Sequence, residues 1–186
     1  MRVEVYSKTL EYDGTQIEPL WAYSKGIPGD SIVLFRGGMD IPCTNIKDLE
    51  DLMDNKAIKG GDMLHFIVER FDSPASMRLA YYMQRMLVVC ARDVLVQHGI
   101  TSVRNGDDLF VDGGKLTVSI ASAGISSEKI HMGINIFCKG TPPEVKVACL
   151  ENLGITDFMG LGEEIARNFA SEINDIESDI VKTKSL

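Results

Sequence analysis

The spacing of apolar residues predicts two long helices. The first runs from about Pro74 to His98, with Ser73 as its cap and Gly99 just past its end. The second spans residues 160–182. The apolar arc of the first helix is wide, so this helix should lie against a sheet or deep in the core. The positions expected to be buried are Ala80, Met83, Leu87, Cys90 and Val94, beside them Met77, Tyr81, Val88 and Leu95, and in the second helix Ala166, Phe169, Ile173, Ile176 and Ile180.

Shorter segments have the pattern of β-strands. "RVEVYS" alternates apolar and polar residues, and "DSIVLFRGG", "DMLHFIVERF" and "KIHMGINIF" are short apolar runs bounded by turn residues. A strand near Val103 and a hairpin follow the first long helix. Short helices are predicted after Pro19 and around "TNIKDLEDLMDN", where Thr44 or Asn45 can be the cap. The segment "EVKVACLENLGI" fits either a strand or a helix.

These elements predict the fold class. Tight turns join several of the strands, which makes those strands antiparallel neighbours. The order of elements is not a strict alternation of strand and helix, as in a doubly wound fold. We therefore expect an α+β fold: a mixed, mostly antiparallel sheet covered mainly on one face by a long central helix and a C-terminal helix.

Composition and charge narrow the class of protein. A length of 186 residues, with 45% hydrophobic and 25% charged residues, suits one globular domain over residues 1–186. The net charge of −8 argues against broad nucleic-acid binding, which needs a cationic surface. No window reaches 18 apolar residues, and the N-terminus lacks the apolar core of a signal peptide. We expect a cytoplasmic protein without a membrane span.

Cysteines and histidines do not form a recognisable metal motif. The four cysteines show no CxxC spacing, and the three histidines have no metal-ligand spacing, so no metal site is predicted. Cys90 is expected to be a reduced core residue, and Cys138 and Cys149 are interpreted as packing residues. His65 is expected to be either a hydrogen-bonded core histidine or a contact to a ligand.

The stretch "GDDLFVDGGKLTVSI" carries the most specific chemistry. Asp112, Gly113 and Gly114 can form a three-residue hairpin loop, and Lys115 begins the return strand. Turn chemistry alone explains this pattern. Asp107 and Asp108, before the hairpin, are either turn residues or a pair of carboxylates for acid–base work.

This stretch also resembles the central segment of the biotin and lipoate protein ligase superfamily, in which a tight turn delivers an essential lysine. Other pieces resemble that superfamily in the same order: "DGTQ", "GGDMLHFIVERF", the long helix, and "HMGINI", whose Gly133-Ile134-Asn135 matches the ligase "GIGIN" strand. More narrowly, the chain resembles an archaeal family of small uncharacterised proteins related to these ligases. The resemblance implies the class II synthetase-like fold of the superfamily.

The resemblance also implies a reaction. A small carboxylic acid, similar to biotin, lipoate or octanoate, would be activated with ATP and Mg²⁺ as an acyl-adenylate and passed to a carrier protein. Lys115 would stabilise the charge of the transition state, with Asp108 as its supporting acid. The implied substrate-binding residues are Arg36, Gly37 and Gly38 as an anion loop, with His65, His131 and Asn135 in the pocket.

Two departures from the superfamily leave other functions open. Neither the "GRGRxG" loop of biotin ligases nor the "RRxxGGG" segment of lipoate ligases occurs here. The alternative is a protein that keeps the fold and binds a metabolite or a partner without catalysis. A third hypothesis is a structural subunit that forms a homodimer through an exposed sheet edge. In lipoyl transferases of this fold a cysteine is the nucleophile, so Cys138 and Cys149 are the less favoured candidates for catalysis. Finally, Arg78, Arg85 and Arg92 are interpreted as a solvated basic stripe.

Overall fold

The architecture is a five-stranded sheet with two long helices on one face. The computed structural model describes residues 1–54, 58–141 and 145–184. The strand order is β1-β2-β3-β8-β7; β1 is parallel to β2 and the other neighbours are antiparallel. These strands are β1 (Arg2–Val5), β2 (Ser31–Ile41), β3 (Ile58–Arg70), β7 (Thr117–Ala123) and β8 (Glu128–Asn135). The prediction of a mixed, mostly antiparallel α+β fold is confirmed.

The described part of the chain also contains a small second sheet, four α-helices and short 3-10 helices. The second sheet has the order β4-β5-β6, formed by β4 (Val103–Asn105), β5 (Asp108–Val111) and β6 (Gly114–Lys115). The helices are α1 (Trp21–Ser24), α2 (Leu49–Met53), α3 (Met77–Gln97) and α4 (Phe158–Lys182). No helix within the described residues is long and apolar enough to cross a membrane.

The main core lies between the sheet and the helices α3 and α4. Alternate residues of the central strands, such as Leu34, Leu64 and Met132, point to the same face and are fully buried. Each such side chain contributes roughly 1.5–3 kcal/mol by leaving water. All five positions of the first predicted stripe of α3 are buried. Of the second stripe, Met77 and Tyr81 are exposed, because α3 is covered on one side only.

Both long helices differ from the prediction at one end. α3 begins at Met77, after a cap formed by Ser76, whose Oγ accepts a hydrogen bond from the Leu79 N–H at 3.3 Å. The predicted cap at Ser73 is wrong, because the helix begins three residues later than expected and Ser73 and Pro74 lie outside it. The predicted end is confirmed, with Gly99 at a φ of 78°. In α4 the last turns extend past the core, so Ile180 is exposed rather than buried.

The N-terminal segment covers part of the other face of the sheet. Tyr12, Ile17 and Ala22 pack there against Val33 and Phe35 of β2 in a second apolar cluster. This segment lies over β2 and β3. The parts of the face formed by β7 and β8 border a cavity instead.

The connection between β2 and β3 differs from its prediction. The cap of α2 is Asp48, whose Oδ1 accepts from the Glu50 N–H at 2.8 Å, and not Thr44 or Asn45. Leu49, Leu52 and Met53 are exposed, so the helix itself buries little apolar surface, whereas Ile46 just before it is buried. The helix has only five residues and lies at the margin of the fold. The last predicted residue, at position 55, is outside the described residues.

The ambiguous segment after β8 runs back along the small sheet. Val147 forms a parallel bridge with Lys115, and a short 3-10 helix follows at Glu151–Leu153. A disulfide joins Cys138 to Cys149. The interpretation of these two cysteines as simple packing residues is therefore wrong. Their pairing depends on the return of the chain after β8, which the sequence pattern does not show.

Candidate functional site

A cavity of about 470 Å³ opens beside β7 and β8, on the sheet face opposite α3 and α4. Its wall is largely apolar, and several charged side chains lie on its border. The apolar lining includes Ile17, Met39, Ile41, Ile58, Val118 and Ile120; the polar lining includes Asp107, Asp108, Lys115, Ser119, His131 and Asn135. An apolar recess with a few convergent polar groups is the usual form of a small-molecule site.

The hairpin places Lys115 and Asp108 together on this border. Val111 pairs with Gly114, so the loop has two residues, Asp112 and Gly113, with φ values of 50° and 73°. The predicted three-residue loop is therefore wrong. Two left-handed residues match the twist of the flanking strands, which favours the shorter loop. Lys115 pairs with Phe110 across the strands, which makes Asp108 its diagonal neighbour on the same face.

The two side chains form an ion pair. Lys115 Nζ lies 2.8 Å from Asp108 Oδ2, and both side chains are partly exposed. Burial raises the pKa of Asp108 although the contact with Lys115 lowers it. The lysine that the sequence singled out thus borders a concave recess, together with the acid predicted to support it.

Side chains of α3 and β7 hold the carboxylate of Asp107 in place. Its Oδ1 lies 2.6 Å from Arg85 Nη1, and its Oδ2 accepts hydrogen bonds from Gln84 Nε2 and Ser119 Oγ, both at 3.0 Å. Burial raises the pKa of Asp107, but the contacts with Arg85 and Ser119 outweigh it and the net pKa is lowered. Arg85 therefore supports a residue of the cavity border through an ion pair, and its interpretation as merely solvated is wrong.

His65 and His131 form a buried pair below the cavity. His65 Nδ1 is 3.0 Å from His131 Nε2, and His65 Nε2 is 3.1 Å from the Gly37 carbonyl oxygen. The Tyr12 ring stacks on His131. Burial lowers the pKa of His65 to about 4 and also lowers that of His131. His131 lines the cavity, whereas His65 lies behind it as a hydrogen-bonded core histidine, which was one of its two predicted roles.

Asn135 stabilises the end of the cavity near Lys115 through hydrogen bonds to the backbone. Its Nδ2 donates to the carbonyl oxygens of Lys115 and Ala148, both at 3.2 Å. The amide thus joins β8 to β6 and to the returning segment. Asn135 lines the cavity as well, so its side chain combines a structural contact with access to a ligand.

Arg36, Gly37 and Gly38 do not form the predicted anion loop. β2 continues through them to Ile41 with a bulge, and they border a different cavity. Arg36 Nε donates to both carboxylate oxygens of Asp62, at 2.9 and 3.0 Å. A Cβ on Gly37 would lie 2.0 Å from the Leu10 carbonyl oxygen. A glycine is required here because the N-terminal segment crosses β2 at this point. In the sequence such a glycine cannot be distinguished from a turn glycine, so the Gly37-Gly38 pair was wrongly interpreted as the end of the strand.

Comparison with known proteins identifies the family. The family model described as "Domain of unknown function (DUF366)" matches residues 1–184. The chain belongs to the DUF366 family. It is 44% identical over 182 residues to an uncharacterized protein of Methanocaldococcus jannaschii, covering 95% of this chain and 81% of the relative. It also superposes on a protein of unknown function from Pyrococcus horikoshi with a TM-score of 0.94 and 37% identity, over 100% of this chain and 98% of that chain.

Ligase structures share the fold of this DUF366 chain at low identity. A lipoate protein ligase from T. acidophilum, described as putative and solved with bound lipoic acid, superposes with a TM-score of 0.59 and 14% identity over 94% of this chain and 87% of that chain. A biotin protein ligase mutant from Aquifex aeolicus, solved with biotin, superposes with a TM-score of 0.60 and 13% identity. The match covers 96% of this chain and 72% of that chain. The predicted kinship of fold with the biotin and lipoate ligases is confirmed.

The connection between β2 and β3, together with the start of β3, supplies site residues that the sequence did not suggest. Lys47, Asp48, Asp51 and Lys59 all line the cavity. Lys47 Nζ lies 2.5 Å from Glu18 Oε1, and Lys59 Nζ lies 2.9 Å from Asp40 Oδ2. In the sequence this segment shows only a cluster of charged, mostly acidic residues, and such clusters are usually solvated. The fold alone brings it over the recess.

Metal-ligating side chains are dispersed in this DUF366 chain. Over residues 1–54, 58–141 and 145–184, no three histidine, cysteine or acidic side chains lie close enough to hold a metal ion. Cys90 is buried, and burial raises the pKa of its thiol to about 11, in agreement with the predicted reduced core residue. Cys138 and Cys149 are bonded to each other, so neither offers the free thiol that a cysteine nucleophile requires.

Proposed function

We propose that this chain binds a small carboxylic acid in the cavity beside β7 and β8 and activates it as an acyl-adenylate. The observation that carries the proposal is the placement of Lys115 and Asp108 at the border of an apolar recess of about 470 Å³. The apolar wall suits the carbon body of an acid similar to biotin, lipoate or octanoate. Lys115 then lies where a carboxylate or a phosphate would meet the protein.

The proposed step is a displacement at phosphorus. A carboxylate oxygen of the acid forms a bond to the α-phosphorus of ATP, the bond to the β-phosphate oxygen breaks, and pyrophosphate leaves. Lys115 stabilises the negative charge that develops on the α-phosphoryl oxygens, and a single fixed contact of this kind is worth roughly 3–4 kcal/mol. Asp108 keeps the ammonium in place. A lysine amine of a carrier protein then attacks the acyl carbon, the bond to the AMP oxygen breaks, and AMP leaves.

The charges around the cavity fit a nucleotide polyphosphate in part. Among the described residues, three lysines border it and can contact phosphate oxygens: Lys47, Lys59 and Lys115. Asp107 and Asp108 line the cavity together with Lys115, and both already contact cationic side chains. Magnesium bound with ATP would share Asp108 with Lys115 and supply further positive charge. The chain's own contribution is the positioning of the acid and of the α-phosphate.

A second function is binding without catalysis. The observation that favours it is that Arg36 is paired with Asp62, outside the cavity, where the ligase resemblance had implied an anion loop. In this case an acid would occupy the same recess, and ATP would contribute nothing to its affinity. A homodimer and a structural role remain predictions.

Pyrophosphate exchange tests the activation step. The protein is incubated with ATP, labelled pyrophosphate and, in turn, biotin, lipoate or octanoate. One of these acids should give label in ATP, and Lys115→Ala should reduce the rate by about 100-fold or more. The matched control is Lys146→Ala, since the Lys146 ammonium contacts the Asp112 carbonyl oxygen on the same hairpin and is exposed.

The outcomes separate the two functions. Equal exchange by the wild type and Lys115→Ala would overturn the assigned role of the lysine. If no acid supports exchange but one raises the melting temperature equally with and without ATP, the binding function is correct. If none of the three acids supports exchange or raises the melting temperature, both functions are wrong for this acid class.

A further inference from the structure

The hydrogen-bond chain below the cavity determines which nitrogen of each histidine carries a proton. The Gly37 carbonyl can only accept, so His65 Nε2 must carry a hydrogen and donate to it. Between His65 Nδ1 and His131 Nε2, at 3.0 Å, there is room for one hydrogen. His65 is 0% exposed and His131 is 2% exposed. Such burial disfavours an imidazolium at either position.

When both imidazole rings are neutral, only one assignment of their N–H hydrogens satisfies these two hydrogen bonds. Because His65 Nε2 carries its hydrogen, His65 Nδ1 has a lone pair and accepts from the His131 Nε2–H. His131 Nδ1 is then the unprotonated nitrogen, a hydrogen-bond acceptor. Within the described residues, no group donates to His131 Nδ1, while its Nε2 is turned to His65. Nδ1 is the ring nitrogen left for a molecule in the cavity.

The position of His131 along β8 places this acceptor far from Lys115. His131 and Asn135 lie on the same face of the strand, since they are four residues apart, and Gly133 between them has no side chain. Four residues of strand span about 13 Å. Asn135 contacts the Lys115 backbone, so it marks the charged end of the recess. Val118 and Ile120 on β7 face the space between the two ends.

We propose that His131 Nδ1 determines ligand specificity: the site takes an acid whose far end carries an O–H or N–H donor, in preference to one that ends in a plain alkyl group. This inference rests on the proposed function. A ligand whose carboxylate meets Lys115 brings its far end to His131. A plain alkyl end strips water from Nδ1 without replacing its hydrogen bond, which costs affinity. A donor at that end restores the bond.

Calorimetric titration with a matched pair of acids tests the proposal. Octanoate and 8-hydroxyoctanoate differ by one terminal hydroxyl. The wild type should bind 8-hydroxyoctanoate about tenfold or more tightly than octanoate. His131→Phe keeps an aromatic ring beside Tyr12 and removes the acceptor, so the preference should disappear or reverse. The control His98→Phe changes an exposed histidine near Glu164 and should keep the wild-type ratio.

Each outcome has a definite meaning. Equal affinities of the wild type for the two acids would overturn the assigned role of His131 while leaving acid binding intact. A preference that survives in His131→Phe would overturn it as well. Binding of neither acid would overturn this inference, and exchange assays with biotin and lipoate would still decide the proposed function. The wild-type comparison does not depend on the folding of any variant. Lys115→Ala should weaken both acids and leave their ratio unchanged.

Discussion

Lowering the pH from 7 to 5 should destabilise the protein through the buried His65–His131 pair. Both rings are neutral in the folded state, because burial lowers the pKa of His65 to about 4 and that of His131 as well. In the unfolded chain each histidine titrates at an ordinary 6.5. Between these values the unfolded chain binds more protons than the folded one. The contribution to stability is complete above pH 6.5 and is lost as the pH falls toward 4.

The size of this loss of stability follows from the difference between the folded and unfolded pKa values of His65. One pKa unit corresponds to about 1.4 kcal/mol, so His65 alone can account for roughly 3 kcal/mol over the whole window. At pH 5 the unfolded histidine is almost fully protonated while the folded one is mostly neutral. His65 should then have cost about 2 kcal/mol of the free energy of unfolding relative to pH 7. His131 shifts in the same direction and adds to the loss.

Urea unfolding at a series of pH values between 7 and 5 measures this loss. The transitions can be followed by circular dichroism and by the fluorescence of the single tryptophan, Trp21. The comparison is with the double variant His65→Phe with His131→Phe, in which neither ring can titrate. Acidic groups such as Asp108, whose pKa burial raises, are present in both proteins. Their contribution therefore cancels in the difference.

The variant should lose less stability than the wild type between pH 7 and pH 5, by about 2 kcal/mol or more. Its stability at pH 7 is expected to be lower, since the Gly37 carbonyl loses its partner. Parallel pH profiles for the two proteins would refute the reasoning. They would mean that the histidines are protonated, or accessible to protons, in the folded state.

Two further changes test the packing around the site. Gly37→Ala should destabilise the protein by about 3 kcal/mol or more in thermal unfolding, because its Cβ would lie 2.0 Å from the Leu10 carbonyl oxygen. The neighbouring Gly38→Ala, whose Cβ would meet its nearest atom at 3.6 Å, should cost much less; equal losses would contradict the close approach. Glu69→Gln should cost about 3–5 kcal/mol, because the Lys129 ammonium, with a side chain 2% exposed, is left without its counter-ion. Replacing both residues with leucine and methionine should recover part of this loss in chemical denaturation, and no recovery would show that the pair is not the cause.

The local sequence pattern was sufficient to predict those elements whose determining residues lie within a few positions of one another. The apolar repeat of residues 77–97, the glycine that ends this helix and the apolar strands all follow from backbone geometry and burial on one face. The hairpin carrying Lys115 is of the same kind, since Asp112 and Gly113 form its turn by themselves. The likeness to the ligases also rests on such short segments. The cap of the long helix was misplaced by three residues because Ser73 and Ser76 have the same local chemistry.

Only the tertiary structure decided which distant residues meet. His65 and His131 are 66 positions apart and share a hydrogen bond because β3 and β8 are paired. Arg36 is bound by Asp62 instead of facing an anion, and Gly37 is small because residue 10 crosses it. Arg85 reaches Asp107 from another element. A sequence pattern records the period and turns of one segment. The need for a small side chain, a counter-ion or a proton acceptor comes from whatever segment packs against it, and that is set by the global arrangement of the chain.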